Sequence, residues 1–287
     1  MSHLAAPAGP TLTRVITSSL REITAAGDGV PALLDFRSVS VARGLKTVLH
    51  DITLQVAPGE HVAILGPNGC GKSTLIKTIT RECYPLVNNG ATLTILGRDR
   101  WNVFDLRNLL GIVSNDLMST CTRDITGSEV ILSGFFSSIG LQPYHAVTTE
   151  MQAKTEAVLE RLEVSHLAER SMDELSSGEA RRMLIGRALV HDPRALLLDE
   201  PTNSLDLHAT HELRLLFRKL AQSGMGILMV THHLSDIIPE IDRVIFLRRG
   251  RIFGDGPKRE LLSPSRLSEL FGIEVEMAER DGYYHLW

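Results

Sequence analysis

Hydrophobic and polar positions change rhythm several times along this chain, and the changes mark out its elements. From Leu33 the runs "LLDFRSVSV" and "ITLQV" alternate apolar and polar residues, the period of antiparallel strands with one face covered. "HVAIL" is apolar at its centre and ends beside Gly66, as a strand buried on both faces does. A helix is predicted from about Lys72, and "ATLTIL" and "LLGIVS" read as further strands. Between Asp116 and Asp173 the strand rhythm stops. "SEVILSGFF" and "EMQAKTEAVLERL" read as helices there, the second with Met151, Ala157 or Val158, and Leu162 near helical spacing. Alternation of strand and helix resumes with "ALLLD", a helix over 208–222, "GILMVT" and "RVIFL". The tail adds a hairpin-like turn, short helices and a final strand pair.

Buried apolar strands alternating with helices predict an α/β fold around a parallel-centred sheet. An antiparallel β subdomain precedes that core, and an α-helical subdomain over about 116–174 is inserted in it. No internal repeat is visible, so the chain carries one such unit. The expected division is an arm over 1–32, a main domain over 33–273 and a C-terminal strand or tail over 274–287. The arm is rich in Ala, Pro, Ser, Thr and Gly. Its weak stripe of Leu12, Val15, Ile16, Leu20 and Ile23, beside Arg14 and Arg21, leaves a transit peptide or docking helix open, and a mobile arm is favoured.

Composition narrows the function. Hydrophobic residues make up 43% and charged residues 22%, an ordinary globular mixture. A formal net charge of −4 gives no electrostatic case for a polyanion, so no direct nucleic-acid binding is expected. The apolar runs are strand-sized and fall short of the ~18 residues a spanning helix needs, so any membrane role must be borrowed from another chain. Cys70, Cys83 and Cys121 are odd in number and lack CxxC spacing, which fits a reducing compartment rather than a disulfide framework or zinc site.

Three segments carry candidate chemistry. "GPNGCGKST", Gly66 to Thr74, fits GxxxxGK[ST] between a strand and a helix. In the loop of Gly66, Pro67, Asn68, Gly69, Cys70 and Gly71 the glycines let the chain wrap a phosphate closely, so that the backbone N–H groups, which Pro67 alone lacks, can point inward. Lys72 would reach the β- and γ-phosphates, and Ser73, followed by Thr74, would ligate Mg²⁺. Cys70, close to a helix start, is expected to favour the thiolate or else to be an inert filler. In "ALLLDEP" adjacent strand residues point opposite ways, so Asp199 is assigned to the Mg²⁺ shell and Glu200 to general-base activation of water. "THH" closes the next buried strand and offers His232, with His233 behind it, to a γ-phosphate.

With these in place the chain resembles the ATP-binding cassette (ABC) ATPase family from about Leu33 to Ile273. "GPNGCGKST" looks like its Walker A loop, "LLLDEP" its Walker B strand, "LSSGE" its signature, "NSLD" its D-loop and "VTHH" its switch-histidine loop, in the family's order. The resemblance implies a P-loop NTPase core that hydrolyses ATP with Mg²⁺ and pairs head to tail with a second cassette, most simply as a homodimer. Leu175, Ser176, Ser177, Gly178 and Glu179 would then face the partner's nucleotide, with Ser176 and the Gly178 N–H donating to its γ-phosphate and Asp206 coupling the two sites. Ser177 stands where a second glycine is usual and would need an easy backbone angle, and Glu179 stands where glutamine is usual. The Q-loop glutamine is replaced by Asn115, and the adenine-stacking aromatic by Arg43, whose guanidinium can also stack. The implied work is that of a transporter motor, cytoplasmic or peripheral on the cytoplasmic face of the membrane and docked to a permease around Asn115 to Leu141. "EVILSGFFSSIG" and "GYYHLW" are similar to stand-alone cassettes near molybdenum or iron-complex uptake systems. A soluble ATPase that switches a protein or ribonucleoprotein is the second reading.

Overall fold

The computed structural model describes residues 30–87, 90–121 and 124–287, so most of the expected arm lies outside the described residues. Strands β1 (Leu34–Arg43) and β2 (Lys46–Val56) pair antiparallel. Strand β3 (His61–Leu65) leaves that layer, and β4 (Thr92–Ile95) returns to pair antiparallel with β1, in the order β2-β1-β4. Helix α1 (Lys72–Ile79) follows β3, and α2 (Val103–Leu109) leads into β5 (Leu110–Val113).

The second sheet contains β3, β5, β6 (Ala195–Asp199), β7 (Gly226–Thr231), β8 (Arg243–Arg248) and β9 (Arg251–Pro257). Its order is β5-β6-β7-β3-β8-β9, and all its neighbours run parallel except the edge pair β8 and β9. The central strands divide their side chains between two hydrophobic cores with a period of two residues. Ala63, Leu65, Leu196, Leu198, Ile227, Met229, Val244 and Phe246 enter one core. Val62, Ile64, Ala195, Leu197, Leu228, Val230, Ile245 and Leu247 enter the other. Coverage on both faces is why these strands read as continuous apolar runs.

The core lined by Ala63 is closed by α3 (Asn115–Cys121), α4 (Gly127–Ser133), α5 (Thr149–Arg161), α6 (Ser177–Leu189) and α7 (Leu207–Gln222). Helix α5 buries Thr155, Val158 and Leu159 and exposes Ala157, which resolves the ambiguous stripe in favour of Val158. In the "EVILSGFF" run Val130 and Ile131 are fully buried and serve the core, while Leu132, Phe135 and Phe136 are half-buried. Short helices α8 (Lys258–Leu261) and α9 (Pro264–Phe271) precede a hairpin of β10 (Met277–Arg280) and β11 (Tyr283–Leu286).

One turn ties the two layers to the phosphate loop. Gly250, between β8 and β9, donates its N–H to Cys70 O at 2.8 Å and accepts from His50 N at 2.8 Å. Its φ is 73°, and a Cβ there would lie 2.0 Å from the Val48 carbonyl oxygen. Only glycine satisfies both conditions. Gly250→Ala is expected to destabilise the protein by about 1–3 kcal/mol, seen as a lower denaturant midpoint at unchanged slope.

Candidate active site

The parallel sheet delivers the site. Strands β6, β7 and β3 are consecutive neighbours, and their carboxyl ends place Asp199, Thr231 and Gly66 on one edge. Ligands of open parallel sheets bind at that edge. The loop from Gly66 to Gly71 bends through positive φ at Gly69 (75°) and Gly71 (113°) and hands over directly to α1. Gly71 caps α1 without a side-chain acceptor, so the first-turn N–H groups, with the positive end of the helix dipole, face whatever the loop encloses. Lys72 is buried and donates from Nζ to Gly66 O at 2.8 Å and Pro67 O at 3.2 Å. Asn68 and Ser73 are exposed and line a cleft of about 740 Å³ that also contains Asp199 and Glu200, while Thr74 is buried beneath the loop.

The two acidic residues are separated by a backbone reversal, not by strand alternation. Strand β6 ends at Asp199, and Glu200 has φ 47°, with its N–H on Val230 O at 2.8 Å. A non-glycine residue in this region stores strain, typically about 1–3 kcal/mol, and such residues cluster at functional sites. Glu200 Oε1 lies 2.8 Å from His232 Nδ1 and 3.8 Å from Lys72 Nζ. The His233 ring, exposed, lies 3.8 Å from that of His232. Walker A, Walker B and switch-loop candidates therefore meet at one carboxylate.

Asp199 is pushed up to about 6, first by burial and then by the charge of Glu200, with Lys72 opposing. A carboxyl that holds its proton longer when folded makes the free protein less stable as pH rises from about 4 to about 6. A cation at this carboxylate must displace that proton. With Asp199 as the Mg²⁺ ligand expected from the sequence, hydrolysis should fall as pH drops below about 6, and extra Mg²⁺ should shift the acidic limb of the pH–rate profile downward.

The structure decides between the two readings of Cys70. The residue is only 4% exposed, and burial pushes its thiol up despite the nearby Lys72. The inert filler, not the thiolate, describes it. Ser177 meets the condition set for it: it is the first residue of α6, with ordinary helical backbone, and needs no glycine-like freedom.

The signature residues do not line the cleft that holds Ser73, Asp199 and Glu200 in the same chain. Leu175 packs against the core, and Ser176 caps α6. Ser176 Oγ accepts from Glu179 N at 3.3 Å and donates to Glu179 Oε2 at 2.7 Å. That same oxygen accepts from Ser176 N at 2.8 Å. These hydrogen bonds hold the Glu179 carboxyl below its ordinary range. Ser176 and Ser177 are exposed, while Gly178 is buried against α7, where an added Cβ would lie 2.7 Å from Ala209 Cβ. Arg182 pairs with Glu212 at 2.9 Å, locking α6 to α7. Asp206 is exposed and caps α7, accepting from Ala209 N at 2.7 Å.

Asn115 opens α3 beyond β5, beside Asp116 and Leu117 of the cleft wall, and Arg43 is exposed at the end of β1. Sequence reasoning missed a buried acid, Asp236, which hydrogen-bonds Thr231 and Thr202. In the run "THHLSD" it reads as an ordinary loop acid.

The family model described as ABC transporter matches residues 49–203. An uncharacterized ABC transporter ATP-binding protein of Bacillus subtilis is 33% identical over 250 residues, covering 85% of this chain and 93% of the relative. A hemin import ATP-binding protein of Aliivibrio fischeri is 33% identical over 240 residues, covering 82% and 88%. Among solved structures, cbiO1 from Clostridium perfringens, part of the ABC transporter complex cbiONQ, superposes with a TM-score of 0.70 at 24% identity, over 83% of this chain and 94% of that one. The ADP conformation of another ABC transporter cassette gives 0.71 at 24% identity, over 83% and 97%. The chain belongs to the ABC transporter family, as a single ATP-binding cassette with ATPase activity.

Proposed function

We propose that this ATPase is the motor subunit of a membrane importer for an iron-containing or other metal-chelate cargo. Two copies would close around two ATP–Mg²⁺. The observation that carries the reading is the shape of the cleft. It runs from Ser73, Asp199 and Glu200 to Leu117, Ile139 and Arg187 of the helical subdomain and α6. A segment of a permease seated against Leu117, Ile139 and Arg187 would share one cleft with the catalytic carboxylates. No helix among the described residues is long and apolar enough to cross a membrane, so the translocation path would belong to that partner. Relatives named as hemin import ATP-binding proteins support the cargo class.

The residues suit the chemistry. Lys72 would exchange the Gly66 and Pro67 carbonyls for β- and γ-phosphate oxygens. The Ser73 hydroxyl and the Asp199 carboxylate are hard oxygen donors on one cleft, the set Mg²⁺ accepts when phosphate oxygens and water complete its shell. Bound there, the ion would neutralise charge on the transferring phosphoryl group. Glu200, oriented by His232, would take the proton of the attacking water as the bond to the β-phosphate oxygen breaks. Ser176 of a second copy would complete the site, turning its hydroxyl from Glu179 to the γ-phosphate, with the α6 dipole behind it.

The test is capture of the full chain from detergent-solubilised native membranes. Recovery with a polytopic membrane protein, and ATP-driven uptake of an iron chelate when both are reconstituted in vesicles, is the expected result. Recovery only in the soluble fraction, bound to a protein or ribonucleoprotein, would overturn the motor reading.

A further inference from the structure

Asp236 is 1% exposed, so its carboxylate is among the most deeply buried charges described in the protein. A buried carboxylate is costly unless hydrogen bonds satisfy it. Two threonine hydroxyls do so: Thr231 Oγ1 donates to Oδ2 at 2.6 Å, and Thr202 Oγ1 donates to Oδ1. Both threonines are buried themselves. Their positions give the arrangement its meaning. Thr231 ends β7 and immediately precedes His232, while Thr202 lies two residues beyond Glu200. The same loop is knitted on the histidine side, where His233 N donates to Thr231 Oγ1 at 2.9 Å and Asp236 N donates to His233 O at 3.2 Å.

We propose that Asp236 is a positioning residue for ATP hydrolysis, a single buried acid that holds the Glu200 loop and the His232 loop in register. The inference rests on Glu200 and His232 acting as assigned above. Glu200 sits at φ 47°, and a strained residue stays so only when its surroundings fix it from both sides. The bond from Glu200 N to Val230 O fixes one side, and the Thr202–Asp236 bond fixes the other. The outcome is the 2.8 Å contact between Glu200 and His232. Arg214 of α7 is close enough for the charge of Asp236 to act on it, and its guanidinium lies 5.7 Å from the Tyr283 ring of β11. The register of the two catalytic loops is thereby joined to α7 and the C-terminal hairpin, neither of which touches the cleft.

The experiment measures kcat and KM for ATP, with thermal unfolding, on the full chain. Asp236→Ala is expected to lower kcat about 10- to 100-fold, as an ångström-scale displacement of a catalytic group does, with KM within about twofold. Thr202→Val keeps the shape of the threonine and removes its donor, so it should lower kcat in the same way even if Asp236→Ala fails to fold. Thr202→Ser restores the hydroxyl and should restore kcat. In a Glu200→Gln background, where the base that both loops position is already gone, Asp236→Ala should cost little more, because residues acting through one another are not additive. A full extra loss in that background would overturn the proposal, as would unchanged kcat in Thr202→Val. The Glu200→Gln and His232→Ala single variants check the underlying reading. If either keeps wild-type kcat, the assignment of the catalytic pair fails rather than the role of Asp236.

Discussion

Glu200→Gln is expected to bind ATP with near wild-type affinity and hydrolyse it about 10²–10⁴-fold more slowly. The substitution keeps the size of the side chain and a hydrogen-bond partner for His232 Nδ1, which lies 2.8 Å from Oε1. It removes only the basic oxygen that accepts the proton of the attacking water. It also takes one negative charge from a crowded site, since Glu200 is a principal electrostatic cause of the high pKa of Asp199. Asp199 should therefore ionise at lower pH in the variant, and Mg²⁺-dependent nucleotide binding should extend to more acidic solutions. Equilibrium nucleotide binding and phosphate release, measured across pH, report both effects.

Lys72→Ala is expected to weaken ATP binding about 10- to 100-fold for each charged hydrogen bond lost to phosphate, and to abolish measurable turnover. Lys72 is the cation placed inside the loop, with Nζ only 3.8 Å from Glu200 Oε1. Its removal leaves the Gly66 and Pro67 carbonyls turned toward the same space, so the cradle becomes less attractive to an anion on two counts. Binding of adenosine, which carries no phosphate, should change far less. Calorimetry with ATP and with adenosine separates the two terms.

Much of this site was legible in the chain because it depends on local spacing. The glycines at 69 and 71 are needed where φ is positive, Lys72 and Ser73 open the helix, and the apolar runs before Gly66, Glu200 and His232 are strands packed on both faces. The family's motif order implies that those strand ends lie together, as they do. What escaped was set by tertiary approach. Asp199 and Glu200 diverge through a left-handed residue at Glu200, which strand periodicity does not foretell. Of the two readings of Cys70 the thiolate falls because the residue is buried, with its carbonyl taken by the Gly250 N–H in the turn after β8, the strand beside β3. Asp236 was hidden because its partners lie 34 residues away at Thr202 and five residues away at Thr231. The Ser176–Glu179 capping box follows the familiar Ser-x-x-Glu spacing, yet it also sequesters the very hydroxyl that the resemblance assigns to a partner's phosphate.

The separation of the signature from the cleft within one chain makes pairing the central claim, and it is tested by molar mass in solution. Glu200→Gln with ATP–Mg²⁺ should convert from monomer to dimer, and adding Ser176→Arg should return it to monomer while each chain still binds nucleotide. A dimer that persists in the double variant, or no ATP-dependent dimer in Glu200→Gln, would contradict a site completed by the Ser176 end of a second cassette.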